Sequence, residues 1–462
     1  MVGVITTVAG NGNHDYSGDG AQATLATLNI PEGVAVGALG IIYIADTYNH
    51  RIRMVNESTG VITTVAGNGT AGYSGDGRQA TLAKLKYPAG VAVDVSGNIY
   101  IADTSNYCIR RRTESTGIIS TVAGTGTSGY SGDGGQATLA RLSNPQGIAV
   151  DVLGNIYVAD QFNNRIRIIT NGVITTVAGT GGAGAFNGNG GKATSAVIVS
   201  PDDVAVDASG NIYIVERERH RVRMVTKSTG LITTVAGDGT ASFNGNGGLA
   251  TSAGLSNPYG VAVDISGNLY ITQGTLDDHR VRMVTKSSGI ITTVAGTGTS
   301  GFSGDGAQAT AAKLNGPQSV AVDALGNVFV ADTYNNRIRT FATNALPTSS
   351  PSTAPTSTSS PSTAPTSTPS PSAAPTSTPS PTTAPTSTPS PSTAPTSTSS
   401  PTAAPTSTPT PSTVPATSLA ATTPTTSSTA LSGNALIGVI SGVGCFLLIL
   451  LILAVICFCR RR

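Results

Sequence analysis

The chain has 462 residues and a nearly balanced charge, with 26 Lys and Arg against 24 Asp and Glu. Three of the basic residues end the chain, so the remainder carries no positive excess, which argues against a nucleic-acid partner. Of the four Cys, only Cys108 lies in the first 344 residues. It can form no disulfide there and is predicted to be a buried thiol. The Cys spacing fits no metal motif.

The first predicted element is a strand at residues 4–9, directly after Met1-Val2. No apolar segment of the kind found in a secretory signal precedes it. An apolar segment near the C-terminus, described below, predicts a membrane anchor. For a membrane-anchored chain two interpretations stay open: the start of the sequence is incomplete, or the protein is tail-anchored with its N-terminal region in the cytosol.

A four-strand pattern then recurs along the chain, most clearly at residues 145–179. Its runs at residues 148–151, 155–160, 165–169 and 173–178 are rich in Val, Ile, Thr and Tyr, with Gly-Asn or Asn-Gly pairs at turns. The motif of the second strand appears six times at intervals of 56 to 59 residues. Its copies begin at Tyr43, Tyr100, Tyr157, Tyr213, Tyr270 and Phe329.

Six four-stranded units with two apolar faces each predict an all-β fold, a six-bladed β-propeller over residues 1–344. The last unit has only three strands of its own. We therefore predict that the N-terminal strand completes the last blade and closes the ring, which leaves no long unpaired edge.

The repeat reads P-x-G-V-A-V-D-x-x-G-N-I-Y-I-A-D-x-x-N-x-R-I-R and resembles NHL repeats over residues 1 to about 344. The added segment T-V-A-G-x-G-x-x-G-Y-S-G-D-G-x-Q-A-T-x-A-x-L is similar to the long-repeat form of bacterial NHL proteins and of the teneurin NHL region. The resemblance implies the propeller fold. For function it implies either a binding platform or, as in a few related propellers, an enzyme.

Two sets of recurring aspartates receive structural interpretations. The Asp of S-G-D-G, with Gln three residues later, predicts a capping box that opens a short helix, in preference to a calcium site. The Asp that ends the second strand is predicted to accept turn N–H groups and to face an arginine of the next strand. The capping pairs are Asp19/Gln22, Asp76/Gln79, Asp133/Gln136 and Asp305/Gln308, and the strand-end residues are Asp46, Asp103, Asp160 and Asp332.

No catalytic, cofactor-binding or metal-binding residue is predicted. The sequence contains neither a nucleophile elbow nor a zinc-protease motif. Some related propellers are lyases with a histidine cluster, but His50, His220 and His279 share a turn position away from the innermost strand. The innermost strands place Asp only at their ends, so the cluster has no counterpart.

Copies four and five depart from the repeat on one predicted face, which carries the Gly-rich inserts. There S-G-D-G becomes N-G-N-G, and the strand-ending Asp becomes Glu or Gln. A specific partner could be recognised at these positions, although relaxed constraint in two repeats would explain them equally. The candidate ligand-binding residues are Asp202, Asp203, Glu216, Glu218, Arg219, His220, Gln273, Asp277, Asp278 and His279.

The C-terminal quarter has a different composition. Residues 345–431 repeat Pro, Ser, Thr and Ala without charge or aromatic side chains, which predicts a disordered stalk that is either O-glycosylated or an unmodified linker. Residues 435–459 (Ala435 to Cys459) are uncharged and long enough to span a bilayer as one helix. The basic tail at residues 460–462 predicts a cytoplasmic end.

Smaller candidate sites follow from short sequence motifs. Asn56 and Asn68 are candidates for N-glycosylation, and Cys457 and Cys459 for palmitoylation. Gly438 and Gly442 match the small-residue motif of membrane-helix dimers, which would allow a homodimer.

These features predict a single-pass type I protein of the plasma membrane with an extracellular propeller on a stalk. The expected function is adhesion or recognition of a protein or glycan ligand, without a cofactor. The alternatives are a propeller hydrolase or lyase with its site at the channel mouth, and a structural component of a cell wall or matrix.

Overall fold

The computed structural model describes residues 3–274 and 278–343, which form six antiparallel four-stranded sheets. The innermost strands of all six sheets line one central channel. The sheets are therefore the blades of a six-bladed propeller, as the repeat predicts.

The strands have four positions, counted from the channel outward. The innermost strands are β2 (Pro31–Val36), β6 (Val91–Val93), β10 (Pro145–Val150), β14 (Pro201–Val206), β18 (Pro258–Val263) and β22 (Pro317–Val322). The second strands are β3 (Ile41–Asp46), β7 (Ile99–Asp103), β11 (Ile156–Asp160), β15 (Ile212–Glu216), β19 (Leu269–Gln273) and β23 (Asn327–Asp332). The third strands are β4 (Arg51–Asn56), β8 (Cys108–Arg112), β12 (Arg165–Thr170), β16 (Arg221–Val225), β20 (Arg280–Val284) and β24 (Arg337–Ala342). The outer strands of blades 1 to 5 are β5 (Val61–Ala66), β9 (Ile119–Ala123), β13 (Val173–Ala178), β17 (Ile232–Ala236) and β21 (Ile291–Ala295), and β1 (Thr6–Ala9) is the outer strand of blade 6.

All helices in the described residues are single 3-10 turns. The loops between blades hold Ala23–Leu25, Ala80–Leu82, Ala137–Leu139, Ala193–Ser195, Ala250–Ser252 and Ala309–Ala311. The turns between second and third strands hold Thr47–Asn49, Thr104–Asn106, Gln161–Asn163, Arg217–Arg219 and Thr333–Asn335, and a further turn, Ala38–Gly40, follows β2.

The antiparallel order gives the ring two different faces. One face, the loop face, carries the long loops between blades, the turns between second and third strands, and the first residues of the innermost strands. The other, the turn face, carries the turns between first and second strands and, in blades 1 to 5, the turns between third and outer strands. Because β24 runs toward the turn face, the described chain ends there, where the Thr343 N–H donates to the Gly326 carbonyl.

Strand β1 closes the ring as predicted, although it begins at Thr6 rather than at residue 4. It pairs antiparallel with β24, with Thr6 opposite Thr340 and Thr7 opposite Arg339. Just before it, the fully buried Ile5 packs into the core of blades 5 and 6 with Val330 and Phe341.

The core lies between blades rather than within them. One cluster joins Tyr157 and Ala159 of blade 3 to Val204 and Ile214 of blade 4, and equivalent clusters join the other neighbours. Each blade thus covers the apolar face of the next, which explains why the second strands are buried on both faces.

Candidate functional site

The first residues of the six innermost strands meet around the mouth of the channel on the loop face. They enclose a cavity of about 40 Å³ above the Val-Ala-Val walls of the channel. Its polar and aromatic lining consists of Glu32, Gln146, Asp202, Asp203, Tyr259, Gln318 and Ser319. We call this cavity the mouth.

In blades 1, 2 and 6, the same threonine hydrogen bond connects each blade to the next one. The hydroxyl of Thr47 donates to the Pro88 carbonyl of the next blade at 2.8 Å, and Thr104 and Thr333 make the same bond. Blades 3, 4 and 5 replace this threonine with Gln161, Arg217 and Gly274. The interblade threonine bond is therefore absent where the mouth is most polar.

Asp202 is the centre of the polar cluster that replaces it. Its side chain is 3% exposed, and its Oδ1 accepts a hydrogen bond from Gln161 Nε2 at 2.6 Å. Arg217 Nε lies 3.2 Å from Asp202 Oδ2, and Arg217 Nη1 also contacts the Tyr259 hydroxyl. Three blades thus contribute to one network.

The two other carboxylates of the mouth differ in their partners. Asp203 accepts hydrogen bonds from the Val204 and Val261 N–H groups at 2.8 and 2.9 Å, so it connects blade 4 to blade 5. A Cβ on Gly147 would lie 2.3 Å from Asp203 Oδ1, so the neighbouring blade needs glycine there. Glu32, on the opposite blade, has no hydrogen-bond or ion-pair partner among the described residues.

Burial changes the titration of these carboxyls. It raises the pKa of Glu32 to about 7. Burial likewise raises the pKa of Asp202 to about 7 against the opposing charge of Arg217, and that of Asp203 to about 7 against its two N–H donors. The mouth therefore gains negative charge as the pH rises through neutrality.

We expect Glu32→Gln to stabilise the protein at pH 8 and to leave it unchanged at pH 4. The carboxyl ionises near pH 4.5 in the unfolded chain and near 7 in the folded one, so above pH 7 the folded state carries an unpaired, partly buried charge. Its removal should add about 1–3 kcal/mol at pH 8. Urea unfolding at both pH values measures this. Glu57→Gln, on an exposed turn, is the control, and equal stability of Glu32→Gln and wild type at pH 8 would contradict an unpaired charge.

Outside the mouth, each third strand buries one arginine completely. In a regular blade such as blade 3, Arg167 lies 3.2 Å from the strand-end Asp160 and 2.6 Å from Asp133 of the S-G-D-G loop. The predicted pairing of strand-end Asp with arginine is confirmed. The predicted capping box is wrong: Gln136 is the N-cap of the 3-10 turn and makes no side-chain cap bond, because Asp133 binds the arginine instead. Equivalent pairs join Arg53 to Asp46 and Asp19, Arg110 to Asp103 and Asp76, and Arg339 to Asp332 and Asp305.

Blades 4 and 5 lose carboxylates at this buried site. Arg223 retains only Glu216, at 3.6 Å, and Arg282 contacts the amide oxygen of Gln273 at 3.3 Å. The loop aspartate becomes Asn189 or Asn246. In blades 1 to 3, the hydroxyl of a loop tyrosine donates a hydrogen bond to this aspartate. In blades 4 and 5 that tyrosine is a phenylalanine, so the hydrogen-bond donor and its acceptor are lost together. Glu216 and Gln273 therefore lie beneath the surface, against arginines.

The remaining predicted site residues lie in the turns of blades 4 and 5. His220 and His279 accept the N–H groups of Asn257 and Gly316 of the next blade, as Asn164 does for Ser200. Asp278 is buried against Arg280. Glu218 is exposed and Arg219 is partly exposed, whereas Asp277 lies outside the described residues.

Exposed aromatic side chains also lie on the loop face, in the turns between second and third strands. Tyr48, Phe162 and Tyr334 follow the strand ends of blades 1, 3 and 6 by two residues and are 49%, 67% and 49% exposed. Tyr87 packs edge-on against Tyr48, with ring centroids 5.2 Å apart. We call Tyr48, Tyr87, Phe162 and Tyr334 the aromatic rim.

Other predictions concern single residues. As predicted, Cys108 is a buried free thiol, and burial raises its pKa well above the usual value. Asn68 is exposed and Asn56 is partly exposed. Residues 3–274 and 278–343 contain no cluster of three or more His, Cys, Asp or Glu that could hold a metal ion.

The described ranges also contain no helix long and apolar enough to cross a membrane. The predicted stalk, membrane span (435–459), basic tail, palmitoylation sites and dimer motif all lie outside these ranges.

Sequence reasoning identified Asp202 and Asp203 but missed Glu32, Gln161 and Tyr259. The first predicted run begins at residue 148 in the third copy, which corresponds to Val34 in the first copy, whereas β2 begins at Pro31 and brings Glu32 into the mouth. The signal was available: Gln161 and Arg217 occupy the position of a repeated threonine.

Comparison with protein families supports the repeat. The model for the teneurin NHL domain matches residues 5–72, 69–130 and 125–185, and the NHL repeat model matches residues 199–223 and 314–341. Together the two models match blades 1, 2, 3 and 6 and the first part of blade 4, up to residue 223.

Individual relatives agree with this. Teneurin-1 of Mus musculus is 30% identical over 382 residues, which cover 74% of this chain and 13% of teneurin-1. Protein SUPPRESSOR OF QUENCHING 1, chloroplastic, of Arabidopsis thaliana is 27% identical over 324 residues, which cover 68% of this chain and 30% of that protein. The chain thus spans less than a third of either relative.

A solved structure shows the same fold. The auxiliary nutrient binding protein of Bacteroides thetaiotaomicron superimposes with a TM-score of 0.52 at 17% identity, covering 73% of this chain and 76% of that one. With six closed blades, the repeat motif and these matches, the chain is an NHL-repeat β-propeller protein.

Proposed function

We propose that this propeller is a recognition module that binds a protein or glycan ligand on its loop face, across the aromatic rim and the mouth. The observation that carries the proposal is the replacement of the interblade threonine bond by the cluster around Asp202. Blades 1, 2 and 6 keep the bond, so folding of the ring does not require Gln161 or Arg217 at this position. In ligand-binding sites, a few precisely placed polar groups fix the orientation of the ligand and provide specificity.

The aromatic rim supplies the complementary apolar contact. Aromatic side chains, including Tyr and Phe, are enriched in the cores of protein interfaces. Tyr is also enriched among the residues that dominate binding energies, because it buries a large area with few rotatable bonds. Tyr48 and Tyr334 lie in neighbouring blades 1 and 6, and Phe162 lies in blade 3. Contacts spread in this way suit a ligand that extends over the face rather than one enclosed in a pocket.

The similarities favour the same class of function. Teneurin-1 shares the repeat over most of this propeller, and one structural neighbour is described as an auxiliary nutrient binding protein. At 17% identity that neighbour supports only the use of the fold for binding.

The course of the chain supports presentation of the loop face. The described chain ends on the turn face, at Thr343. With residues 435–459 as a membrane span and residues 345–431 as a stalk, we propose a cell-surface protein whose loop face is available to ligands.

The test is a screen of the full-length protein in detergent micelles against a glycan array and a panel of cell-surface ectodomains. We expect a triple variant, Tyr48→Ala, Phe162→Ala and Tyr334→Ala, to lose at least about 10-fold in affinity for the ligand found. The matched control is Leu39→Ala, Leu153→Ala and Leu325→Ala, three turn-face residues that are 80% to 94% exposed.

The control triple variant should bind like wild type. Loss of binding in the control, with retention in the rim variant, would place the site on the turn face and overturn the proposal. Both proteins must unfold at the wild-type midpoint, which these exposed side chains should allow.

A further inference from the structure

The mouth has an excess of acceptors and of negative charge. Glu32, Asp202 and Asp203 line it from opposite blades, and no basic side chain lines it. Arg217 lies behind Asp202 and contacts Tyr259, outside the lining of the cavity. The negative charge of three carboxylates is therefore balanced by a single nearby cation, the Arg217 guanidinium.

One buried oxygen atom of the lining, Gln146 Oε1, accepts no hydrogen bond from the described residues. Asp202 Oδ2 is balanced only by the ion pair with Arg217 Nε at 3.2 Å. An unsatisfied buried acceptor costs free energy unless a donor reaches it, so Gln146 Oε1 indicates a missing donor in addition to the charge.

The size of the cavity limits what that donor can be. The mouth, at about 40 Å³, is far smaller than the roughly 300–1,000 Å³ of a pocket that encloses a whole small-molecule ligand. It accommodates a single small terminal group rather than a sugar ring or an amino acid. No metal-binding cluster exists among the described residues, which disfavours a divalent cation.

We propose that the mouth binds a primary ammonium group carried by the ligand of the loop face. The proposal rests on the proposed recognition function and adds the chemistry of the anchoring group. An ammonium is a compact cation with three donors, which matches acceptors distributed on several sides. It can come from a lysine side chain, a protein amino terminus or an amino sugar, with the rest of the ligand lying over the aromatic rim.

The test uses the full-length protein in detergent micelles and three amine probes in calorimetry at pH 7 and low salt, where all three amines are mainly protonated. The probes are Nα-acetyl-lysine methylamide, triglycine amide and glucosamine, each paired with its N-acetylated counterpart. We expect at least one amine to bind at least 10-fold more tightly than its acetylated form. The best probe identifies the source of the group.

The matched variants are Glu32→Gln in the mouth and Glu57→Gln on the turn face. Glu32→Gln should weaken binding of the preferred amine at least 10-fold, whereas Glu57→Gln should have no effect. Binding should also strengthen from pH 5 to pH 7. The titratable groups around the site are Glu32, Asp202, Asp203 and Tyr259, with Arg217 and Glu218 behind them, and the carboxyls ionise in this range.

The two proposals fail differently. Equal binding of amine and acetylated probes, no saturable binding, or unchanged affinity in Glu32→Gln would overturn the ammonium site. A full-size ligand that depends on the aromatic rim and not on Glu32 would overturn it while leaving the recognition function intact. A ligand that depends on neither would overturn both.

Discussion

Deletion of residues 1–10 is expected to lower the unfolding midpoint strongly and to cause self-association. The deletion removes β1, so β24 loses its outer partner and presents an unpaired edge. It also removes the fully buried Ile5 from the core of blades 5 and 6. Loss of one buried aliphatic side chain alone costs about 2–5 kcal/mol, and the lost strand pairing adds to this. Urea unfolding and sedimentation measure the two effects.

Two controls separate packing from edge protection. Ile5→Ala removes the buried side chain but keeps β1, so it should be destabilised and remain monomeric. A chain shortened by ten residues within 351–410 should unfold at the wild-type midpoint. A deletion of residues 1–10 that stays monomeric with an unchanged midpoint would contradict ring closure by β1.

Arg167→Met is expected to destabilise the protein by about 3–5 kcal/mol, because removing one partner of a buried ion pair leaves the other charge uncompensated. Asp160 is fully buried and depends on Arg167 for its charge balance, as does Asp133 in part. The guanidinium also lies 4.9 Å from the centre of the Tyr130 ring. Urea unfolding at pH 7 measures the change.

Arg282→Met is the matched comparison in blade 5. No carboxylate of the described residues lies within ion-pair distance of Arg282, and burial lowers its pKa to about 10. Its replacement by an apolar side chain removes a costly buried cation, so the change should stay within about 1 kcal/mol or be stabilising. Equal losses in the two variants would show that packing of the side chain, rather than the carboxylate pair, sets the effect.

The repeat and its chemistry made much of the fold predictable. Its spacing indicates the blades, and the incomplete last copy indicates closure by the N-terminal strand. The strand-end Asp160 was correctly paired with an arginine because both lie in one hairpin, seven residues apart. Contacts within one hairpin can be predicted from sequence patterns.

Contacts between residues that are far apart in the sequence could not be predicted in this way. Asp133 meets Arg167 across 34 residues, so the local capping rule gave the wrong partner. Glu32 and Asp202 share the mouth only because the ring brings opposite blades together. His220 and His279, which the sequence suggests as ligand contacts, bind backbone N–H groups of the next blade. A divergent residue can therefore fulfil the structural role of the residue it replaces.

Closure by β1 also has a consequence for biosynthesis. The hydrogen bond from Arg337 to the Asn11 carbonyl, beside the closing strands, joins residues 326 positions apart. At translation rates of ~5–20 residues per second, roughly 15–65 s separate the emergence of the two segments from the ribosome. Blades 1 to 5 can form during that time as an open arc, but the ring cannot close. A chain interrupted before β24 therefore exposes two unpaired strand edges, the surfaces on which chaperones and aggregation act.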